Sequence, residues 1–367
     1  MSRHHLLLCI NPAAGAGRGA DAGAEAAARL RSGGADVEIL AVPGDDGTPT
    51  VRRYSEALAA RLARTAGRTP AAVVVVGGDG MLHTTANALA GTGMPVGLVP
   101  AGTGNDLARA LGLADCGVAD AVDRVLVGLD QPPRRIDLVR VDLSPLGAAL
   151  PAGPDFAGTV DDRAVAGAPP QRVRRYVVSG VNVAFDAVVN ATANRMRWPR
   201  GGLRYVAAVL LELLRFRPLD LRIRLDSPDG RGLTGPTFLL AVMNGRFIGG
   251  GMEVTPGTRI DDGLLEVFHV TPLSPARFLR VFPRVFAGRH TDLPEVTIRE
   301  ASSVRIEKIA TAEDPTASRS PSWRSAEPVL HGDGEPLGWL PATVTVVPGA
   351  LTVLDTGLPH LPSGGRG

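Results

Sequence analysis

Three times within the first 110 residues an apolar run stops at a glycine-rich turn and gives way to a helical pattern. HLLLCI (5–10) runs into NPAAGAGRG (11–19), AAVVVVGG (71–78) into the GGDG of 77–80, and PVGLVPAG (95–102) into the turn AGTGND (101–106). Short continuous runs of β-branched and aliphatic residues mark strands covered on both faces, which is the situation of a parallel sheet. A further strand signal, DVEILAV, and helical signals at GADAGAEAAARLR, TVRRYSEALAARLAR, LHTTANALA, NDLARAL and VADAVDRVLVG fill the intervals. The alternation predicts an α/β, doubly wound domain with helices on both faces. All three glycine turns follow strands, so they gather at the carboxyl edge of that sheet, where open α/β sheets bind ligands.

After about residue 132 the texture becomes strand-rich: RRIDLVRVDL, RRYVVSGVNV, LDLRIRL, GPTFLLAV, GLLEVFHV, PEVTIREASSVRIEKI and ATVTVVPGALTVL, interrupted by helical segments near 203–216 and 275–287. A chain of 367 residues is long enough for two cores. We therefore expect an α/β domain over 1–132 and a mostly antiparallel β domain over 133–340. Residues 144–171 and 311–328, rich in Pro, Ala, Gly or Ser and without period, read as insertions.

The chemistry of the turns is narrowed by what the chain lacks. Of 39 basic residues one is a lysine, Lys308, so neither a G-x-x-x-x-G-K-[ST] loop nor a kinase-type strand lysine on phosphates exists. No G-x-G-x-x-G with a following acidic residue succeeds the first strand, which disfavours a hydride-transferring dehydrogenase. The net charge of +2 is spread along the chain, so no nucleic-acid partner is expected. Cys9 and Cys116 have no metal or disulfide spacing and fit a reducing cytoplasm. The most apolar helical stretch, 206–216, is short and broken by Glu212, so no membrane span is expected.

If the turns hold phosphate, they do so with backbone, metal and arginine. The carboxylates inside them are the clue. A cradle made only of N–H groups would repel Asp79, and Asp106 repeats the anomaly beside Thr103 and Asn105 in the next turn. Two acid-bearing glycine turns in successive strand–helix units suit a nucleoside triphosphate with its divalent cation. Asp106 could instead cap its helix, and GGDG could be an ordinary tight turn, with Gly78 expected at positive φ. His83 reads as a helix-surface residue. The stretch 185–217, with six arginines and Trp198 around an apolar helix, reads either as a membrane-facing surface or as a helix covering the second sheet. The C-terminal GDGE (332–335) could by itself be a hairpin turn.

Taken in order, NPAAGAGRG, GGDG, PAGTGNDLAR (100–109), GVNVAFDA (180–187), MNGRFIGGGMEVTP (243–256), RIDDGLLEV (259–267) and GDGEPL (332–337) resemble the bacterial diacylglycerol kinase and sphingosine kinase-like lipid kinases over almost the whole chain. The resemblance implies a nucleotide-binding domain similar to those of phosphofructokinases and NAD kinases, followed by a β-sandwich domain, with the last segment (341–360) able to return to the first domain. It implies ATP and Mg²⁺ as cofactors. Asn11, Pro12, Gly15, Gly78, Asp79, Gly80, Thr103, Asn105 and Asp106 would contact the Mg-nucleotide. The catalytic base would be Asp333 or, as second choice, Glu335. Asp262, with the carbonyls of Arg259 and Leu264, would form a structural Mg²⁺ site.

Two positions depart from the family: Met81 replaces the threonine of GGDGT, as in sphingosine kinase-like members, and EILAVPGDDG lacks a threonine often found after the second strand. The expected activity is transfer of the γ-phosphate of ATP to the hydroxyl of a diacylglycerol-like lipid by a cytoplasmic enzyme held peripherally at the membrane. A second copy of the chain is the protein partner left open. The alternatives are an NAD kinase or sphingoid-base kinase activity, or a catalytically silent binding protein.

Overall fold

A computed structural model describes residues 4–357 apart from 41–49, 65–67, 114, 144–172, scattered positions between 186 and 201, 214–216, 228–229, 231 and 310–328. The insertions expected at 144–171 and 311–328 lie outside the described residues, as does the stretch after the second strand where the family threonine is missing. The chain forms two compact units. One comprises Met1–Leu138, Ile260–Asp262 and Val347–Gly367, the other Val139–Arg259 and Gly263–Val346.

In the first unit the strands are β1 (His5–Ile10), β2 (Asp36–Ile39), β3 (Ala72–Gly77) and β4 (Val96–Pro100), parallel and in the order β2-β1-β3-β4, with Val353 paired to Val96 beyond β4. Both faces are covered, as the unbroken apolar runs require. Leu6, Leu8, Val74 and Val76 meet Ala22, Ala26 and Leu30 of α2 (Gly19–Ser32, after the single turn α1, Ala14–Gly17) and Val122 and Val125 of α6 (Val118–Leu129). Side chains alternate along a strand, so Cys9 points the other way, to Tyr54 of α3 (Thr50–Ala63). The Tyr54 hydroxyl shares a 2.8 Å hydrogen bond with Thr85 of α4 (Asp79–Leu89). Burial pushes the Cys9 thiol up to about 12, so it stays protonated and inert. Each fully buried valine or leucine here contributes on the order of 1.5–3 kcal/mol.

In the second unit one antiparallel sheet runs β14-β13-β10-β7-β16-β17 (Val296–Ala301, Leu265–Val270, Leu239–Met243, Gly180–Ala184, Val329–Gly332, Glu335–Trp339). A second contains residues 342–345 of β18 (Ala342–Val353) beside β15 (Ser303–Lys308), β8 (Leu219–Asp226) and β9 (Leu233–Thr237). A pair of strands, β5 (Arg134–Leu143) and β6 (Val173–Val177), adds Val139, Val141 and Val177 to the core between them. The first sheet is buried on both faces: Val181, Val183, Leu240 and Val242 face the other sheet, whereas Ala241, Met243, Phe268 and Val270 face helices. Those helices are α7 (Gly202–Leu213) and α8 (Pro275–Val281), the latter running on as a 3₁₀ turn, Phe282–Ala287.

Candidate active site

The three glycine turns meet at the carboxyl ends of neighbouring strands. Since β1 is flanked by β2 on one side and β3 on the other, connections leave in opposite directions there and a crevice opens at the strand ends. The backbone of Asn11 donates to Val76 and its Oδ1 accepts from the N–H of Ala13 at 3.1 Å. Ala101 donates to Gly77 at 2.9 Å. A Cβ added at Gly15, whose φ is +57°, would lie 2.5 Å from the carbonyl oxygen of Ala101. One added at Gly78 would lie 3.0 Å from Gly102 Cα, and one at Gly102 would lie 2.5 Å from Gly78 Cα. The turns therefore need glycine because their backbones touch. Gly78 corrects the sequence reading: its φ is −109°, so close approach and not handedness excludes a side chain.

Asp79 is the first residue of α4 and is half-buried, as are Gly78 and Gly80. Asn105 is in the left-handed region at φ +55° and closes its own turn, accepting from Gly102 N–H at 3.1 Å and donating to Gly102 O at 3.0 Å. It also occupies the cap position of the five-residue α5 (Asp106–Ala110), so Asp106 is not the cap. Asp106 is 9% exposed, whereas Thr103 and Pro12 are exposed. Met81 is buried against Gly77. His83 is also buried, 7% exposed on α4, which corrects its reading as a surface residue.

In the second unit Asp333 and Gly334, at φ +51° and +86°, form the two-residue turn between β16 and β17, with Gly332 paired to Glu335. Positive φ at both central residues is the geometry that matches strand twist in a hairpin. GDGE is thus a hairpin, and it is more than that. The two oxygens of Asp333 accept the N–H groups of Val178 and Ser179, each at 2.8 Å. That bend is itself braced: Ser179 O accepts from Asn244 N and Gly245 N at 2.8 Å, and Asn244 Nδ2 donates to Val178 O at 2.9 Å. The GVNV, MNGR and GDGE segments converge on one carboxylate. Asn244, absent from the sequence-predicted set, is the residue that holds its platform, and only its place in MNGR signalled it.

In RIDDGLL, Asp261 is held by Arg134 at 2.6 Å and Gly263 turns the chain at φ +74°. The remaining set, one carboxylate from Asp262 and the carbonyls of Arg259 and Leu264, is all oxygen, as a hard cation requires. Among the described residues no cluster of three or more His, Cys, Asp or Glu side chains could hold a metal. Of the segment 185–217, α7 covers the sheet through Ala208, Val209 and Leu213, while Leu210, Leu211 and Trp198 are exposed.

The second unit also contains an apolar cavity of about 80 Å³. It is lined chiefly by Phe185, Val209, Phe238, Phe268, Phe278 and Phe282, with His290 and Glu295 as its polar members. Desolvation lowers the His290 pKa below the ordinary imidazole range, favouring the neutral ring, whose Nε2 donates to Val254 O at 2.9 Å.

A glycine-turn α/β unit and a β-sandwich unit define the fold class, and the sequence matches supply the family. Residues 5–141 match the diacylglycerol kinase catalytic domain and residues 179–355 the YegS C-terminal NAD kinase beta sandwich-like domain. The chain belongs to the diacylglycerol kinase and YegS-like lipid kinase family. It is 33% identical over 357 residues to the Diacylglycerol kinase of Mycobacterium tuberculosis strain H37Rv, covering 96% of this chain and 97% of that one. It is 29% identical over 262 residues to the protein named Probable lipid kinase YegS-like of Chromohalobacter salexigens, covering 70% and 68% respectively. The crystal structure of a diacylglycerol kinase from Bacillus anthracis superposes with a TM-score of 0.60 at 17% identity, over 96% of this chain and 97% of that one, a likeness of fold.

Proposed function

We propose that this chain transfers the γ-phosphate of Mg-ATP to the free hydroxyl of a diacylglycerol-like lipid at the cytoplasmic face of the membrane. The observation that carries the lipid acceptor against NAD is the apolar cavity of the second unit. Its phenylalanine and valine lining suits a short stretch of an acyl chain and would leave the polar groups of a dinucleotide unsatisfied. Among the described residues no helix is long and apolar enough to cross a membrane.

Phosphoryl transfer asks the protein for positioning and for neutralisation of charge more than for covalent chemistry. The N–H groups of the turns at Asn11–Gly15, Gly78–Gly80 and Gly102–Asn105 bind phosphate oxygens where side chains would obstruct them. Asp79 and Asp106 supply oxygens to Mg²⁺, which when bound neutralises charge on the phosphates in place of the absent lysine. Asp333, fixed by Val178 and Ser179, orients the lipid hydroxyl and takes its proton late in the transfer. Glu335 is the second candidate for that proton. Asp262 with the carbonyls of Arg259 and Leu264 holds a structural cation.

The test is transfer of labelled γ-phosphate from ATP into a panel of lipids in mixed micelles, with NAD and sphingoid bases alongside. Label in a diacylglycerol-like lipid is the expected result. Label in NADP alone would end the lipid reading, and no label in any acceptor despite measurable ATP binding would favour a silent binding protein.

A further inference from the structure

The cavity has a roof whose outer surface is left exposed by the described residues. α8 and its 3₁₀ continuation form a strap, residues 275–287, with Phe278, Val281, Phe282 and Val285 turned into the cavity. Beside them Leu279 and Phe286 are 48% and 53% exposed. The phenylalanines form a continuous stack from the interior outward: Phe238 on Phe185 at 4.6 Å, Phe185 against Phe278 at 5.5 Å, Phe278 on Phe282 at 5.0 Å and Phe282 against the exposed Phe286 at 5.7 Å. An aromatic path thus joins the cavity to the surface.

The charge of the strap is as one-sided as its apolar residues. From 272 to 290 the sequence contains four arginines and no acidic residue. Arg277 is engaged with Glu295 at 2.9 Å, which pins the start of the strap together with the Ser274 cap. Arg280, Arg284 and Arg289 are exposed and make no ion pair among the described residues. Exposed Leu and Phe interleaved with unpaired arginines are the composition of a segment that lies in a membrane interface, with rings among acyl chains and guanidinium groups on lipid phosphates.

We infer that the outer face of the strap is the docking surface for an anionic lipid bilayer, with Leu279 and Phe286 entering the interface and Arg280, Arg284 and Arg289 binding its phosphates. The inference rests on the lipid-kinase reading and adds to it a route. A lipid passing under a strap seated in the bilayer reaches the cavity along apolar surface, without exposing its chains to water.

Vesicle flotation of the full chain, without nucleotide, tests the inference. Vesicles of phosphatidylglycerol mixed with phosphatidylcholine should carry the protein, and phosphatidylcholine alone should carry at least tenfold less. Leu279→Ser with Phe286→Ser, and separately Arg280→Gln with Arg284→Gln and Arg289→Gln, should each reduce association with the anionic vesicles by tenfold or more. Both variants should still phosphorylate a short-chain diacylglycerol dispersed as monomers at near wild-type rate. Undiminished vesicle binding by both variants would overturn the assignment. So would sedimentation showing a dimer that Phe286→Ser splits, since a second copy would then cover the strap. Because no nucleotide is present, failure here leaves phosphoryl transfer untouched, and failure of transfer leaves vesicle binding to be read on its own.

Discussion

Glycine serves different purposes in the facing turns of the first unit and in the hairpin of the second. At Gly78 and Gly102 the backbone angles would suit other residues, and what excludes a side chain is the other turn's Cα, 3.0 and 2.5 Å from where a Cβ would sit. At Gly334 nothing lies within 4 Å of an added Cβ, and what favours glycine is φ +86° in the hairpin. The first kind of glycine lets two chain segments close on one another. The second shapes one segment so that a neighbouring side chain, Asp333, aims correctly. A substitution should therefore act through the ligand in the first unit and through local strain in the second.

The largest effect is expected at Gly15, where both reasons coincide. Gly15→Val puts a β-branched side chain at φ +57° against the Ala101 carbonyl. Calorimetry should show ATP affinity reduced at least about a hundredfold, the displaced turn no longer presenting its N–H groups. Retained affinity would mean that the first turn is not part of the site. Next comes Asp333→Asn. Turnover should fall by about 10² or more if Asp333 is the base. The amide is not a silent replacement, because its NH₂ must face the N–H of Val178 or Ser179, a mismatch costing about 1–3 kcal/mol in stability. Near-normal turnover here combined with loss in Glu335→Gln would move the base by two positions along the hairpin.

Asp262→Ala should lower the melting temperature in Mg²⁺ by several degrees and make it indifferent to chelator, with ATP binding intact. A wild-type melting temperature that does not respond to chelator would show that no ion is held there. The smallest effect belongs to Gly334→Ala, about 1 kcal/mol of strain in the left-handed region with no clash. A drop in ATP affinity in that variant would break the distinction between the two kinds of glycine.

Most elements were legible because their signals are local. Six-residue apolar runs that end at glycine turns give β1 and β3, and periodic alanines give α2, whose small side chains let it pack closely on the sheet. What escaped was set by distant contacts. Close approach at Gly78 depends on Gly102 in another strand–helix unit, so the residue looked like a positive-φ turn. Asp333 is gripped by N–H groups 155 and 154 residues earlier in the chain, which no local pattern announces. His83 is buried by tertiary packing of α4, although a polar residue on an amphipathic helix is ordinarily placed outside. The cavity collects residues from Phe185 to Val296, a separation at which spacing carries no signal.

The division of labour between the units is tested most directly by measuring Mg-ATP affinity for Gly78→Val and Asp333→Asn side by side in one calorimetric series. Gly78→Val forces Gly102 away and should weaken binding by about tenfold or more while the far-ultraviolet spectrum stays native. Asp333→Asn should bind within about threefold of wild type despite its lost turnover. Equal loss of affinity in both variants, or normal affinity in Gly78→Val, would contradict the assignment of the nucleotide to the glycine turns and of proton transfer to the hairpin.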